Sequence, residues 1–143
     1  MFKDYFNRHN RSVIGTELDL LSKDNKLAIE FNGSYWHSEA FKEPRYHQNK
    51  SIQCYKQGIH LIHIFEPEWN DESTREKLIN IIKSNLNIDN PEIIQARKLK
   101  IQEIDKQEAY EFLNKYHLQH GMYSEISIGA YNNNQLVGVM TLG

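Results

Sequence analysis

Apolar residues occur in short runs along this chain, and the polar residues between them predict where strands and helices begin and end. Residues 17–21 and 27–31 are apolar runs separated by the polar segment Ser22-Lys23-Asp24-Asn25-Lys26. Because Asp and Asn favour tight turns, the two runs predict a β-hairpin. Residues 59–65 form a nearly continuous apolar run with two histidines, which is typical of a strand covered on one or both faces.

Two segments of the first half show helical spacing. Residues 43–57 suit a helix that begins near Pro44 and is closed by Gly58. A second helix is expected behind a cap at Asn70 or Asp71, since apolar residues follow at helical spacing, namely Leu78, Ile81, Ile82 and Leu86. Residues 1–10, by contrast, offer barely one helical turn.

The pattern stops at residues 87–91 and then restarts, so we expect one domain at 1–90 and the start of a second, α+β domain at 91–143. The second part predicts an extended stretch, a capped helix and two strands, at 93–104, 105–116, 126–131 and 136–142. Asn132-Asn133-Asn134 joins the two strands as a tight turn. Both ends of the chain look open, and we expect it to be cut from a longer protein.

Composition indicates a soluble globular protein, with 39% hydrophobic and 25% charged residues. The single cysteine, Cys54, excludes an intramolecular disulfide and a cysteine-based zinc site, which fits a reducing compartment such as the cytoplasm. No apolar run is long enough to cross a membrane. The formal net charge of −2 gives no global signal for nucleic acid, so any such binding must come from a local basic patch.

Two carboxylates on the predicted hairpin are the first candidate chemistry. Asp19 and Glu30 fall on its two strands, and facing carboxylates are a usual way to hold a hard cation such as Mg²⁺ or Mn²⁺. From spacing alone, solvent-facing carboxylates are an equal alternative. The residues after the second strand favour the metal, because a glycine turn there presents Tyr35, Trp36 and His37. His37 would supply a general acid or base beside the metal.

The ordered series of motifs resembles a known nuclease family. The motifs are Glu17-Leu-Asp19, Ala28-Ile-Glu30-Phe-Asn-Gly33, Trp36-His37-Ser-Glu39, Tyr46-His47 with Lys50, and Gly58-Ile-His-Leu-Ile-His-Ile-Phe-Glu66. Together they look like the very-short-patch-repair-like (Vsr-like) branch of the PD-(D/E)xK nuclease superfamily, closest to its phage homing-type endonucleases. The resemblance covers residues 11–86 and implies an α/β fold, a restriction-endonuclease-like mixed β-sheet flanked by helices.

The resemblance also implies a role for each matching residue. Asp19 matches the metal-binding aspartate of the first core strand, and Glu30 stands at the second acidic position. His37 matches the active-site histidine after the glycine turn. His47 and Lys50 align with the region where relatives place a further catalytic aspartate. The implied activity is hydrolysis of phosphodiester bonds in double-stranded DNA, of the homing or nicking type, with Mg²⁺ or Mn²⁺ as cofactor.

Two departures from the family pattern keep a second function open. The lysine that should follow the second acidic residue is absent, so His37 or Lys50 would have to replace it. Relatives also carry a glutamate on a helix before the first strand, where this chain offers only Asp4. The alternative is therefore a catalytically inactive DNA-binding module built on the same fold.

Basic and aromatic residues supply the expected DNA contacts. Phosphate contacts are predicted for Arg45, Lys50, Lys56, Arg97, Lys98 and Lys100, and base contacts for Tyr35 and Trp36. Residues 96–143 resemble the opening part of an N-acetyltransferase-like domain, which makes an acetyltransferase a distant third reading. No glycine-rich loop entering a helix follows Leu142, so we do not expect acetyl transfer.

The acid–base role of His37 is testable. His37→Ala should lower the cleavage rate by roughly a hundred- to ten-thousand-fold with metal and DNA binding nearly intact, because proton transfer is needed only in the transition state. The check is the rate against Mg²⁺ concentration, together with a melting curve. Rescue by high Mg²⁺ would mark a metal ligand instead, and near-normal turnover with a lowered melting point would contradict the role.

Overall fold

The computed structural model describes residues 2–33, 45–88 and 93–143. Its first sheet has four strands in the order β1-β2-β3-β4, namely β1 (Phe6–Asn10), β2 (Leu18–Ser22), β3 (Leu27–Asn32) and β4 (His60–Phe65). Strands β1, β2 and β3 pair antiparallel, while β3 and β4 pair parallel. The sheet is therefore mixed, as expected.

The turn of the predicted β2–β3 hairpin is built around a buried hydroxyl. Ser22 Oγ donates to Asp24 Oδ1 at 2.6 Å and accepts from the backbone N–H groups of Lys26 and Leu27, at 3.1 and 2.9 Å. The Ser22 side chain is inaccessible to solvent, with 1% of the residue exposed. These bonds satisfy backbone donors that the turn would otherwise leave unpaired.

Helices lie against both faces of this sheet. They are α1 (Tyr46–Lys56), the short α2 (Glu66–Asn70) and α3 (Glu72–Asn85). Because side chains alternate along a strand, β3 serves two cores. One core contains Ala28 of β3 and Cys54 of α1, and the other contains Ile29 of β3 and Leu78 of α3. The parallel crossover from β3 to β4 thus passes through α1 on one face.

The predicted helices α1 and α3 are confirmed, and Asp71 caps α3 by accepting from Thr74 N at 2.7 Å. The expectation of barely one helical turn at residues 1–10 is wrong. This segment forms β1, because Phe6 inserts into the core and the backbone pairs with β2. Helix α2 is an addition to the prediction, and Glu68 Oε2 caps it by accepting from Phe65 N.

The second sheet has the antiparallel order β5-β6-β7, with β5 (Lys100–Glu103), β6 (Ile126–Asn132) and β7 (Gln135–Leu142). The helix α4 (Lys106–Tyr116) packs on it, and the Tyr131 hydroxyl donates to Glu108 at 2.7 Å. The predicted helix and hairpin are confirmed. The expected extended stretch at 93–104 is shorter than predicted, because a 3-10 turn occupies Ala96–Lys98.

Over residues 2–33, 45–88 and 93–143 the protein is mixed α/β, with a four-stranded and a three-stranded sheet. The two parts touch where Lys77 Nζ of α3 donates to the backbone oxygen of His117 at 3.0 Å. None of the described helices has the length and apolar character needed to cross a membrane.

The Ser22 hydroxyl makes a testable contribution to the hairpin. Ser22→Ala should destabilise the protein by about 1–3 kcal/mol, because it leaves the buried Leu27 N–H without its acceptor. Urea denaturation measures this, with exposed Ser84→Ala as the matched control. An equal effect of the two substitutions would contradict the role.

The same substitution has a defined pH dependence. The Ser22 hydroxyl holds the pKa of Asp24 below its ordinary value of 3.8. A carboxyl with a lowered folded-state pKa contributes stability above that ordinary value and loses it as the pH falls through the folded pKa. The stability difference between wild type and Ser22→Ala should therefore be largest at neutral pH and shrink below pH 3.8.

Candidate functional site

Asp19 and Glu30 lie where the hairpin stops pairing regularly. The register of β2 against β3 covers two residue pairs, Leu20 with Ile29 and Leu21 with Ala28. At the next position, backbone N–H groups bond to side-chain oxygens of the neighbouring strand instead of to backbone oxygens. Asp19 N donates to Glu30 Oε1 at 3.1 Å, and Phe31 N donates to Asp19 Oδ2 at 2.9 Å. These reciprocal bonds fix the Asp19 and Glu30 side chains at the open end of the hairpin.

The second oxygen of Glu30 belongs to a buried ion pair. Lys50 Nζ of α1 lies 2.7 Å from Glu30 Oε2, and the two side chains are only 4% and 8% exposed. Because a buried charge is costly unless it is paired, each group holds the other in place. The structure thus joins Asp19, Glu30 and Lys50 in one hydrogen-bonded unit. An ionised carboxylate offers about four acceptor positions, so Glu30 retains room for a further cation.

Asp19 also borders a second group of ligand-type side chains. Oxygen and nitrogen atoms of His9, Glu17 and Asp19 lie within 4.8 Å of one another, an arrangement that could hold a metal ion. His9 Nδ1 is 2.9 Å from Glu17 Oε1, and Arg11 Nη2 is 2.6 Å from Glu17 Oε2. The hydrogen bonds from His9 and Arg11 hold the pKa of Glu17 below its ordinary value. Glu17 therefore has partners without any metal.

Sequence reasoning missed His9, because it expected no strand in residues 1–10. The spacing Glu17-x-Asp19 was the one signal in the sequence for this group, since residues two apart on a strand share a face and the two carboxylates would then lie together. A cationic cleft lies next to this group: Lys3 and Arg8 line it together with Phe2, Phe6 and Leu20. The same three apolar residues also line a cavity with Asp19.

The histidines divide between the two faces of β4, as their spacing predicted. His60 Nδ1 lies 2.9 Å from Asn85 Oδ1 of α3, whereas His63 Nε2 lies 3.0 Å from Ser51 Oγ of α1. A joint site for the two imidazoles is thereby excluded. His47, in the first turn of α1, packs its ring edge-on against His63 with the centroids 5.3 Å apart.

Three expected site residues, Tyr35, Trp36 and His37, lie outside the described residues. Their assigned roles stay predictions.

The expected phosphate-binding residues are spread over separate places. Arg45 and Lys56 are exposed near opposite ends of α1, which at 11 residues is about 16 Å long. Lys98 and Lys100 line a polar cleft with Gln102 and Tyr131. Arg97 donates to Gln95 through Nε and Nη2, at 3.2 and 3.1 Å.

Lys50 differs from the other basic residues. Its ammonium group is buried against Glu30, so a direct phosphate contact would require that pair to open.

The ion pair generates a stability prediction. Lys50→Met should cost about 3–5 kcal/mol, because it leaves the Glu30 carboxylate buried without its partner. Combining it with Glu30→Gln should cost clearly less than the sum of the two single effects, since residues in direct contact are not additive. Urea denaturation of the four proteins measures the coupling.

Lys56→Met, an exposed change on the same helix, should stay within about 0.5 kcal/mol of wild type. Strict additivity of the Glu30 and Lys50 substitutions would show that the pair does not stabilise the fold.

Comparison of the chain with family models, with curated proteins and with solved structures finds no match in any of the three.

Proposed function

We propose that this chain is a metal-dependent DNA endonuclease, of the homing or nicking type that its motifs resemble. The observation that carries the proposal is the 2.7 Å contact between Lys50 Nζ and Glu30 Oε2. The family pattern requires a lysine beside the second acidic residue, and the strand itself supplies none. Lys50 of helix α1, 20 positions after Glu30 in the sequence, places its ammonium group against that carboxylate.

Asp19 is the residue best suited to bind the metal. Among the described residues, Glu17 pairs with Arg11 and Glu30 pairs with Lys50, whereas Asp19 makes no ion pair. Of Glu17, Asp19 and Glu30, Asp19 is thus the one without a salt bridge among the described residues. Mg²⁺ or Mn²⁺ prefers carboxylate oxygens, so Asp19 with Glu30 would hold the ion. When bound, such an ion neutralises phosphate charge and lowers the pKa of a coordinated water.

The protein groups around that position have distinct tasks. Lys50 fixes the Glu30 carboxylate through the buried ion pair, so that Glu30 would meet the metal in a constant orientation. The Asp19 N–H bond to Glu30 and the Phe31 N–H bond to Asp19 hold each carboxylate against the neighbouring strand. His37 follows β3 closely in sequence and remains the proposed general acid or base. His47, in the first turn of α1, is proposed as a further catalytic group.

The DNA surface is proposed to combine the exposed cations with the cleft beside Asp19. Lys3 and Arg8 join Arg45, Lys56, Lys98 and Lys100 as candidate phosphate contacts, and Arg97 follows in the 3-10 turn. Phosphate contacts position the duplex rather than read its sequence. Lys50 is left out of this surface because its charge already serves Glu30.

A catalytically inactive DNA-binding module is the second candidate. One observation favours it: Glu30 and Lys50 satisfy each other while buried, which is also how a purely structural ion pair looks. In addition, the segment before β2 forms β1 rather than the helix that carries a glutamate in relatives.

Nicking of supercoiled plasmid separates the two candidates. Wild type should nick in Mg²⁺ and stop when the metal is chelated, whereas an inactive module would bind plasmid and leave it intact. Asp19→Asn should lower the rate by at least about a hundred-fold, because the amide removes the charge that binds the metal. It should leave the fold intact, since its carbonyl oxygen can still accept from Phe31 N.

Asp24→Asn, in the turn at the opposite end of the hairpin, is the matched control and should nick at nearly the wild-type rate. Asp19→Ala should behave like Asp19→Asn in activity. Full activity of either Asp19 variant would overturn the metal assignment.

A further inference from the structure

His63 of β4 lies within one of the matching motifs, but neither the resemblance nor the proposed mechanism gives it a role. In the parallel register it lies directly beside Glu30, so its side chain points to the same face of the sheet as Glu30 and towards α1. Its Nε2 lies 3.0 Å from Ser51 Oγ, and its Nδ1 lies 3.3 Å from Asn32 Nδ2. The imidazole therefore bridges β3, β4 and α1.

The orientation of the Asn32 amide in the structure gives these bonds their direction. An amide nitrogen carries protons and accepts none, so Asn32 Nδ2 donates and His63 Nδ1 accepts. The ring proton then sits on Nε2, which donates to Ser51 Oγ. Ser51 Oγ in turn donates to the backbone oxygen of His47 at 2.9 Å. Three bonds run in one direction from β3 into the first turn of α1.

Asn32 joins this series of hydrogen bonds through its amide nitrogen but not through its carbonyl oxygen. The residue is 1% exposed, and its Oδ1 is a buried oxygen with no hydrogen-bond partner within the part of the chain that the structure describes. An unsatisfied buried acceptor costs free energy. The orientation of the Asn32 amide that leaves Oδ1 without a hydrogen bond among the described residues is the one that brings Nδ2 within reach of His63.

The two ends of this series of hydrogen bonds lie close in sequence to the ion pair between Glu30 and Lys50. Ser51 directly follows Lys50, and Asn32 is two residues beyond Glu30 on the same face of β3. We propose that His63 is a positioning residue: by joining Ser51 to Asn32 it locks α1 onto the sheet and keeps Lys50 Nζ on Glu30. Its effect on catalysis rests on the proposed nuclease function, whereas its effect on α1 does not.

Cys54 reports the docking of α1 without any reference to activity. It lies one helical turn after Lys50, is 0% exposed and is the only cysteine of the chain. Burial also raises the pKa of its thiol, which further slows reaction with a thiol reagent. Labelling under native conditions therefore measures how often α1 opens.

The experiment compares labelling by the aromatic disulfide DTNB in variants of the full chain. His63→Ala and Ser51→Ala should each raise the labelling rate by about five- to thirty-fold, and together they should raise it little further because they break the same bond. His63→Gln should stay near wild type, since its amide N–H can replace Nε2 as donor to Ser51. His60→Ala is the matched control on the opposite face and should change nothing.

Urea distinguishes local opening of α1 from general destabilisation. Leu78→Ala weakens the core on the other face and exposes Cys54 through global unfolding, with a steep dependence of labelling on urea. His63→Ala should show a shallow dependence, because opening one helix exposes little surface. Unchanged labelling in His63→Ala, or a dependence as steep as that of Leu78→Ala, would overturn the proposal.

Plasmid nicking then tests the consequence for the site. At saturating plasmid and Mg²⁺, His63→Ala should nick at least about tenfold more slowly, His63→Gln should recover most of that rate, and plasmid affinity without divalent metal should not change. If wild type fails to nick while labelling responds as expected, the positioning role stands and the nuclease proposal fails. If labelling responds and nicking by His63→Ala is normal, the effect on Lys50 is refuted.

Discussion

The buried ion pair between Glu30 and Lys50 is the interaction on which the first sheet and its site depend. A carboxylate on the central strand β3 would be a large penalty in an apolar interior, and the sequence compensates it from a helix on the same face. The pair ties α1 to β3, and the other oxygen of Glu30 ties β3 to Asp19 of β2. One carboxylate thereby connects three elements, and opening either bond would loosen all of them.

Local signals account for most of the fold that could be predicted. The hairpin β2–β3, the helices α1, α3 and α4 and the β6–β7 hairpin follow from turn residues, caps and apolar spacing that act within a few positions. Strand β1 lacks such a signal, because Phe6 is its one buried residue and the rest is polar. Pairing with β2 and burial of Phe6 make it a strand, and both interactions are distant in sequence.

The residues of the candidate site divide in the same way, into those that local patterns predict and those that only distant contacts place. Asp19 and Glu30 could be paired from the predicted hairpin, because neighbouring strands bring such positions together. Lys50 required a resemblance to suggest its role, and the sequence also allowed it to be a phosphate contact. One local signal pointed inward: Lys50 and the buried Cys54 are four residues apart, so they share the face of α1 that meets the sheet. His63 gave no signal, since its partners lie 12 and 31 positions away.

The distribution of charge around the hairpin bears on the choice between a nuclease and an inactive binding module. Arg11 and His9 serve Glu17, and Lys50 serves Glu30, while Asp19 stays without a cationic partner among the described residues. A module that only holds DNA gains nothing from such a carboxylate, because it repels phosphates and weakens binding. An enzyme that recruits Mg²⁺ to the scissile phosphate needs it. The proposed nuclease function would thus give the Asp19 carboxylate a use that an inactive binding module would not.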